Sequence, residues 1–353
     1  MIKANKLIVF YLSQEACYEY SKAIIEYSKD INFTLVLNKR NRLAKETASN
    51  KITLPSSRLG LILCAPNFIL KIFFFFLKQK KHNQLSAISL SFHPYNYLIS
   101  IISKILGINF VLTVHDYTTH LGEKNSLLES IQKSTIRKSY ATLFLSEHER
   151  NIAVSDGLVL ERTYLVPHPV YEYAGKHSLP HAAKLQLLYY GRSASYKGLR
   201  MLEQLASLAC VEHITIAGKD VKKFIHSEEA KIRLMDQWLE EEDIDKLILE
   251  HHVLILPYRE ASQSGVLAKG FSYGIPMLIS RVGGLPEQIS DRSAIWFDGS
   301  VDQAIRILED LAKDPEQYNE LRNNMAAEHI HFQQQWIKAY QEFITYLMPS
   351  SNS

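Results

Sequence analysis

The stretch VLILPYREASQSGVLAKGFSYGIPMLISRVGGLPE, residues 253–287, decides how the rest of the chain is read. It opens on an apolar run of strand type, Val253–Leu256, which Pro257 stops. Ser262-Gln263-Ser264-Gly265 then supplies the small polar residues of a helix start, and the helix is expected to run to about Tyr273. Gly274 and Pro276 end it, and Met277–Ser280 starts the next strand. Small polar residues at a helix start leave backbone N–H groups pointing outward beside the positive end of the helix dipole. That is an anion site. In an open α/β sheet such a turn lies at the carboxyl ends of the strands, where ligands bind.

Working outward, strand and helix patterns alternate on both sides. In the first half Leu7–Leu12 and Phe33–Leu37 read as strands, with an amphipathic stretch from Glu15 to Tyr27 between them. Residues 38–57 are polar and read as loop, and Ala65–Lys80 reads as helix. Ala87–Phe92, Tyr95–Ile105 and Phe110–Val114 form a βαβ unit, which implies parallel strands. Ser126–Tyr140 is a helix, and Thr142–Leu145 and Tyr164–Val166 are strands. The proline-containing polar segment HPVYEYAGKHSLPHAAK, 168–184, is the expected linker.

The pattern then restarts. Gln186–Tyr190 is a strand, Gly198–Leu208 a helix, His213–Ala217 a strand, and Lys231–Leu247 mostly helix. After residues 253–287 come Ala294–Phe297 as strand, Val301–Leu311 as helix and Phe332–Leu347 as a last amphipathic helix. The expected class is α/β, with two Rossmann-like parallel-sheet domains: 1–168, a linker 169–184, 185–330, and a closing helix 331–348.

Composition bounds the function. The chain has 353 residues, 46% hydrophobic and 22% charged, which suits a globular protein of two domains. Residues 1–170 hold 21 Lys and Arg against 12 Asp and Glu, whereas 171–353 hold 19 against 25. A basic first half without a nucleic-acid motif suits an anionic surface or acceptor, or is a solvated face. Cys17, Cys64 and Cys210 are too few and too far apart for a disulfide framework or zinc site, so a reducing compartment is expected. Leu7–Leu12 is strand-like rather than the core of a secretory signal, and no run reaches the roughly 18 unbroken apolar residues of a membrane span. The expected location is the cytoplasm, with attachment to the inner face of the membrane left open.

Several residues have the chemistry of a site. Tyr190-Gly191-Arg192-Ser193 followed by Tyr196-Lys197-Gly198 ends the first strand of the second half. Gly191 permits a tight turn, Arg192 offers a planar fork and Lys197 a point charge, and the two cations can hold a diphosphate. Ser262, Gln263, Ser264, Gly265 and Val266 would complete the cradle through backbone N–H groups and the Ser264 hydroxyl, while Ser262 or Ser264 would also serve as an N-cap. His115-Asp116 ends the strand FVLTVHD, where a histidine can hydrogen-bond a hydroxyl. His93 and His168 also end strands, and Gly218 follows the strand ITIA. Asp243-Ile244-Asp245 falls in an acidic helical run and reads as a solvated face, so no metal site is expected. Neither G-x-G-x-x-G nor a P-loop pattern is present. Phe68–Lys81, FILKIFFFFLKQKK, reads as a buried helix capped by solvated lysines, with contact to a membrane surface as the alternative.

PYREASQSGVLAKGFSYGIPM followed by RVGGLPEQI resembles the donor-binding signature of family-4 glycosyltransferases of the GT-B fold, most closely a bacterial polysaccharide-assembly subgroup with a PY…SQSGV motif. The residues YYGR…KG, 189–198, are similar to a second element of that family. The resemblance implies a retaining, metal-independent enzyme without a further cofactor. It would move a sugar from a UDP- or GDP-sugar to a hydroxyl of a growing glycan, for which a polyprenyl-linked acceptor is expected. It implies His115, Arg192 and Lys197 as catalytic, Gly191, Gly218 and Ser262–Val266 as donor-binding, and a last helix returning to the first domain. One departure is plain: where many members carry two glutamates separated by seven residues, this chain has Ala261 and Lys269, with Glu260 one residue off. A non-catalytic nucleotide-sugar-binding protein and a nucleotide-sugar epimerase are the alternatives.

Overall fold

The computed structural model describes residues 4–13, 17–47, 49–120, 122, 125–171, 174–175 and 179–348. The chain divides into two compact units. The first comprises Met1–Thr119, Asn125–Pro169 and Trp336–Ser353, the second His120–Lys124 and Val170–Gln335. The expected linker therefore counts largely with the second unit, and its residues 172–173 and 176–178 lie outside the described residues.

The first unit holds a seven-stranded parallel sheet: β1 (Ala4–Tyr11), β2 (Phe33–Asn38), β3 (Asn50–Ile52), β4 (Asn83–Ser89), β5 (Asn109–Val114), β6 (Ala141–Phe144) and β7 (Thr163–Leu165), in the order β3-β2-β1-β4-β5-β6-β7. The central strand shows why it lies here. Leu7, Val9 and Tyr11 join one core layer and Ile8, Phe10 and Leu12 the other, all fully buried, because successive side chains of a strand point to opposite faces. The helix Asn96–Leu106 covers one face. The end of the last helix covers the other, with Trp336, Tyr340 and Phe343 in that core layer. The Ser28 and Tyr340 hydroxyls lie 2.6 Å apart, and Trp336 donates its indole N–H to the Pro167 carbonyl at 2.9 Å.

The second unit holds a six-stranded parallel sheet: β8 (Leu185–Tyr190), β9 (Val211–Ala217), β10 (Ile232–Met235), β11 (Val253–Leu256), β12 (Met277–Ser280) and β13 (Ile295–Phe297), ordered β10-β9-β8-β11-β12-β13. In both sheets the strand order reverses beside the first strand, between β1 and β4 and between β8 and β11. Those switch points are where open α/β sheets bind ligands.

Four local expectations are corrected. Lys231–Leu247 is not mostly helical: Ile232–Met235 is a strand, because the open edge of β9 takes up its backbone groups, and the helix is Glu241–Leu249. Residues 38–57 contain a short helix, Leu43–Glu46, and the edge strand β3. Gly198 sits at φ +68 and closes a 3-10 turn, Ser195–Lys197, so the helix expected from 198 to 208 is only the short Met201–Leu205. The last helix begins at Pro315 and runs unbroken to Leu347, with proline in the first turn, where its missing N–H costs nothing.

Candidate functional site

Residues 253–287 fold as their pattern implies. β11 ends at Leu256, the helix Gly265–Tyr273 follows, Gly274 closes it at φ +71, and β12 begins at Met277. Ser264 is the N-cap, its hydroxyl accepting from the Leu267 N–H at 3.2 Å. The Gln288 side chain grips the same residue from both sides. Its Oε1 accepts from the Ser264 N–H at 2.6 Å and its Nε2 donates to the Ser264 carbonyl at 3.2 Å.

Ser264 is thus the N-cap that the sequence allowed, its N–H taken by Gln288 and its hydroxyl oxygen accepting from Leu267. The groups left facing outward are the N–H groups of Gly265 and Val266, which an α-helix cannot satisfy internally. Gln288 was missed by sequence reasoning. Its only signal is its place just after the Gly283-Gly284 turn, whose Gly284 N–H donates to the Ala261 carbonyl at 3.0 Å.

The loop after β8 lies on the neighbouring strand. Tyr190 donates its hydroxyl to the Val266 carbonyl at 3.3 Å, and the Arg259 N–H donates to the Tyr196 carbonyl at 2.7 Å, so the two loops are tied together. Tyr189 donates to the Arg192 carbonyl at 3.2 Å, which fixes the backbone below an exposed guanidinium. The Lys197 ammonium lies 3.5 Å from the centre of the Tyr258 ring and 5.0 Å from that of Tyr196. Burial pushes the Tyr258 phenol up to about 12, so at neutral pH it is an uncharged ring presenting its face to a cation. His120 stacks on Tyr196 at 4.3 Å and lies 3.8 Å from the Glu260 carboxylate.

Three buried polar atoms on these loops lack a partner. The Ser193 and Ser262 hydroxyls and the Gln263 side-chain oxygen are buried without a partner. A buried polar group without a hydrogen bond costs about 1–3 kcal/mol, and these three lie on the loops that follow two neighbouring strands, β8 and β11. Gly218, expected beside a ligand, has a steric reason of its own to be glycine. A Cβ there would lie 2.0 Å from the Gly191 carbonyl oxygen, at φ +144. The glycine allows the ends of β8 and β9 to cross closely.

Lys269, in the slot where related sequences carry a glutamate, pairs with Glu241 and with Asp245 at 2.8 Å on the helix Glu241–Leu249. Burial works against its charge, but the two carboxylates outweigh it and hold its pKa above the ordinary lysine value. The Asp243–Asp245 run is accordingly only partly a solvated face, since Asp245 anchors Lys269. Ala261, the other slot, is buried.

In the first unit His115 follows β5. Its Nε2 lies 2.9 Å from the Leu90 carbonyl beyond β4, its ring meets Tyr20 edge-on at 4.7 Å, and its Nδ1 is without a partner. Burial holds its pKa below the ordinary histidine value. It therefore stands neutral, beside the switch point of that sheet. His168 is buried, lies 6.0 Å from Tyr20, and is held down to about 4 by burial. His93 accepts the Tyr95 N–H at 3.1 Å, a local turn contact.

The two parallel sheets with these switch points define a GT-B-type α/β protein. Residues 176–328, within the second unit, match the family described as Glycosyl transferases group 1. The fold is shared with HepE of Anabaena in complex with UDP and glucose, at TM-score 0.74, 14% identity, and coverage of 95% of this chain and 99% of that one. It is also shared with the lipopolysaccharide outer core galactosyltransferase WaaB, at TM-score 0.69, 15% identity, and coverage of 96% and 99%. An uncharacterized 41.2 kDa protein in the cps region of Klebsiella pneumoniae is 29% identical over 110 residues. That match spans 31% of this chain and 31% of the relative.

Proposed function

We propose that this protein transfers a sugar, with retention of configuration and without a metal ion or further cofactor, from a nucleoside diphosphate sugar to a hydroxyl of a bacterial surface glycan. The observation that carries the reading is the pairing of two cations, Arg192 and Lys197, with two outward N–H groups and three unsatisfied polar atoms on adjoining loops at the sheet switch point. In the reaction the bond from the anomeric carbon to the diphosphate oxygen breaks, and its electron pair leaves with the nucleoside diphosphate. The acceptor oxygen forms the new bond to the anomeric carbon and gives its proton to the departing diphosphate oxygen. Charge grows on the departing diphosphate, and fixed cations and N–H groups stabilise that charge more than the ground state.

Neutral His115 is assigned to the acceptor side, its free Nδ1 available to a sugar hydroxyl. A UDP-sugar is the donor the reading takes first, supported by the UDP in the HepE structure. The cps-region relative and WaaB support a capsule or lipopolysaccharide glycan as acceptor, and we place it on a polyprenyl carrier at the inner face of the cytoplasmic membrane.

The test is a thermal-shift and calorimetric screen of UDP, GDP, ADP and CMP with EDTA present, followed by turnover of the matching sugar donors. Selective stabilisation by one nucleoside diphosphate is expected. Binding without turnover on any acceptor would turn the reading to a non-catalytic protein, and epimerised donor formed without acceptor would turn it to an epimerase.

A further inference from the structure

Phe68–Lys81 reads in the sequence as a buried helix; the helix is Arg58–Lys80, and it is buried only along one side. Phe68, Ile72 and Phe76, four residues apart, are at most 3% exposed and belong to the core of the first unit. Phe76 meets Phe10 of β1 edge-on at 5.9 Å, and Phe68 lies against Tyr95 at 4.2 Å. The opposite side is apolar and uncovered. Leu59, Ile62, Leu63, Leu70, Phe74 and Leu77 are between 40% and 71% exposed, at the spacings of three, four and seven that make one stripe on a helix. Ile105, at the end of the adjoining helix Asn96–Leu106, is 71% exposed and extends the apolar surface. Monomeric proteins rarely expose so continuous an apolar face unless it binds something.

The charge around this face names the occupant. Between Glu46 and Asp116 the chain contains no acidic residue, but it contains seven Lys and Arg. Lys71 and Lys78, seven residues apart, rim the apolar stripe, and Lys81 stands exposed at the helix end. An apolar stripe rimmed only by cations matches an anionic bilayer surface, where the side chains enter the acyl boundary and the ammonium groups meet lipid phosphates.

The helix is long and apolar enough to cross a membrane by length and composition alone. It cannot leave the fold to do so, because its other side is core and it connects β3 to β4, two strands of one parallel sheet. We propose that the first unit docks on anionic membrane through the outer face of Arg58–Lys80, the helix lying in the interface plane. This goes beyond the donor reading and does not depend on it.

The test is flotation of the full-length protein with phosphatidylcholine vesicles, with and without phosphatidylglycerol. The protein is expected to float with the mixed vesicles and far less with the neutral ones. Leu63→Glu/Leu70→Glu/Phe74→Glu should abolish flotation, and Phe74→Ser alone should weaken it several-fold. Lys71→Gln/Lys78→Gln/Lys81→Gln should lower partitioning to mixed vesicles by about a hundredfold.

Melting temperature and UDP binding of each variant, expected to match the wild type, check the fold. Wild-type protein that stays at the bottom of the gradient overturns the proposal. So does flotation unchanged by the apolar or the lysine variants. A dimer in light scattering that the triple glutamate variant breaks, without vesicle binding, would give the face to a second copy. Release by detergent alone would make the helix membrane-spanning. Flotation without nucleotide binding would count against the donor reading and leave this proposal standing.

Discussion

Lys197 holds its ammonium 3.5 Å from the centre of the Tyr258 ring, so the cation that follows β8 is positioned by an aromatic face that follows β11. The ring costs the lysine little hydration on its outer side and confines it to the switch point of the sheet. That is the kind of preorganisation that favours developing charge over a ground-state anion.

Lys197→Ala and Arg192→Ala should each lower turnover by roughly two to three orders of magnitude, the cost of removing a cation that faces developing negative charge. Steady-state kinetics check this, with the urea midpoint as control for folding. Wild-type rates in either variant would remove the diphosphate assignment.

Gly218→Ala should destabilise the second unit by about 3 kcal/mol or more, because the new Cβ would press on the Gly191 carbonyl at a backbone angle that L residues rarely adopt. Urea denaturation measures it. An alanine variant as stable as the wild type would show that the ends of β8 and β9 do not cross so closely.

Lys269 separates a structural from a binding role. Lys269→Met leaves Glu241 and Asp245 without their cation on a partly exposed surface, so a stability loss of about 1–2 kcal/mol is expected, with donor affinity within about twofold of wild type. Calorimetric titration with UDP and a urea melt decide it. Altered affinity at unchanged stability would put the side chain at the nucleotide.

Burial holds His168 and His251 at about 4, below the 6.5 of an unfolded histidine. Below 6.5 the unfolded chain therefore binds protons that the folded chain refuses. Each contribution is complete above pH 6.5, falls as the pH drops towards 4, and amounts to as much as about 3 kcal/mol. The urea midpoint should fall across that range, and His251→Gln should flatten the fall. A midpoint that does not move with pH would contradict it.

Much of the second unit was legible in the sequence. The β11–helix–β12 segment has its strand runs, N-cap serine and closing glycine within a few residues of one another, and local sterics and hydrogen bonding act over that range. The Arg192 and Lys197 loop was legible for the same reason. β10 was not, because four residues with no strong pattern become a strand only when the edge of β9 is there to pair with them. Gln288 was not, because it caps a residue 24 positions earlier.

By itself, then, the sequence determined the alternation of strands and helices, the two-sheet class, the glycine and serine positions of the loops after β8 and β11, and the surplus of lysine in the first half. Those follow from side-chain periodicity, backbone freedom and charge, which belong to each residue and its near neighbours. Only the tertiary structure decided which lysine lies over an aromatic ring and which in a salt bridge, why Gly218 must be glycine, and which side of the helix Arg58–Lys80 is core and which is bare. Both sides of that helix are equally apolar in sequence. What distinguishes them is whether a strand or helix far along the chain packs against them, and that is set only when the sheet closes.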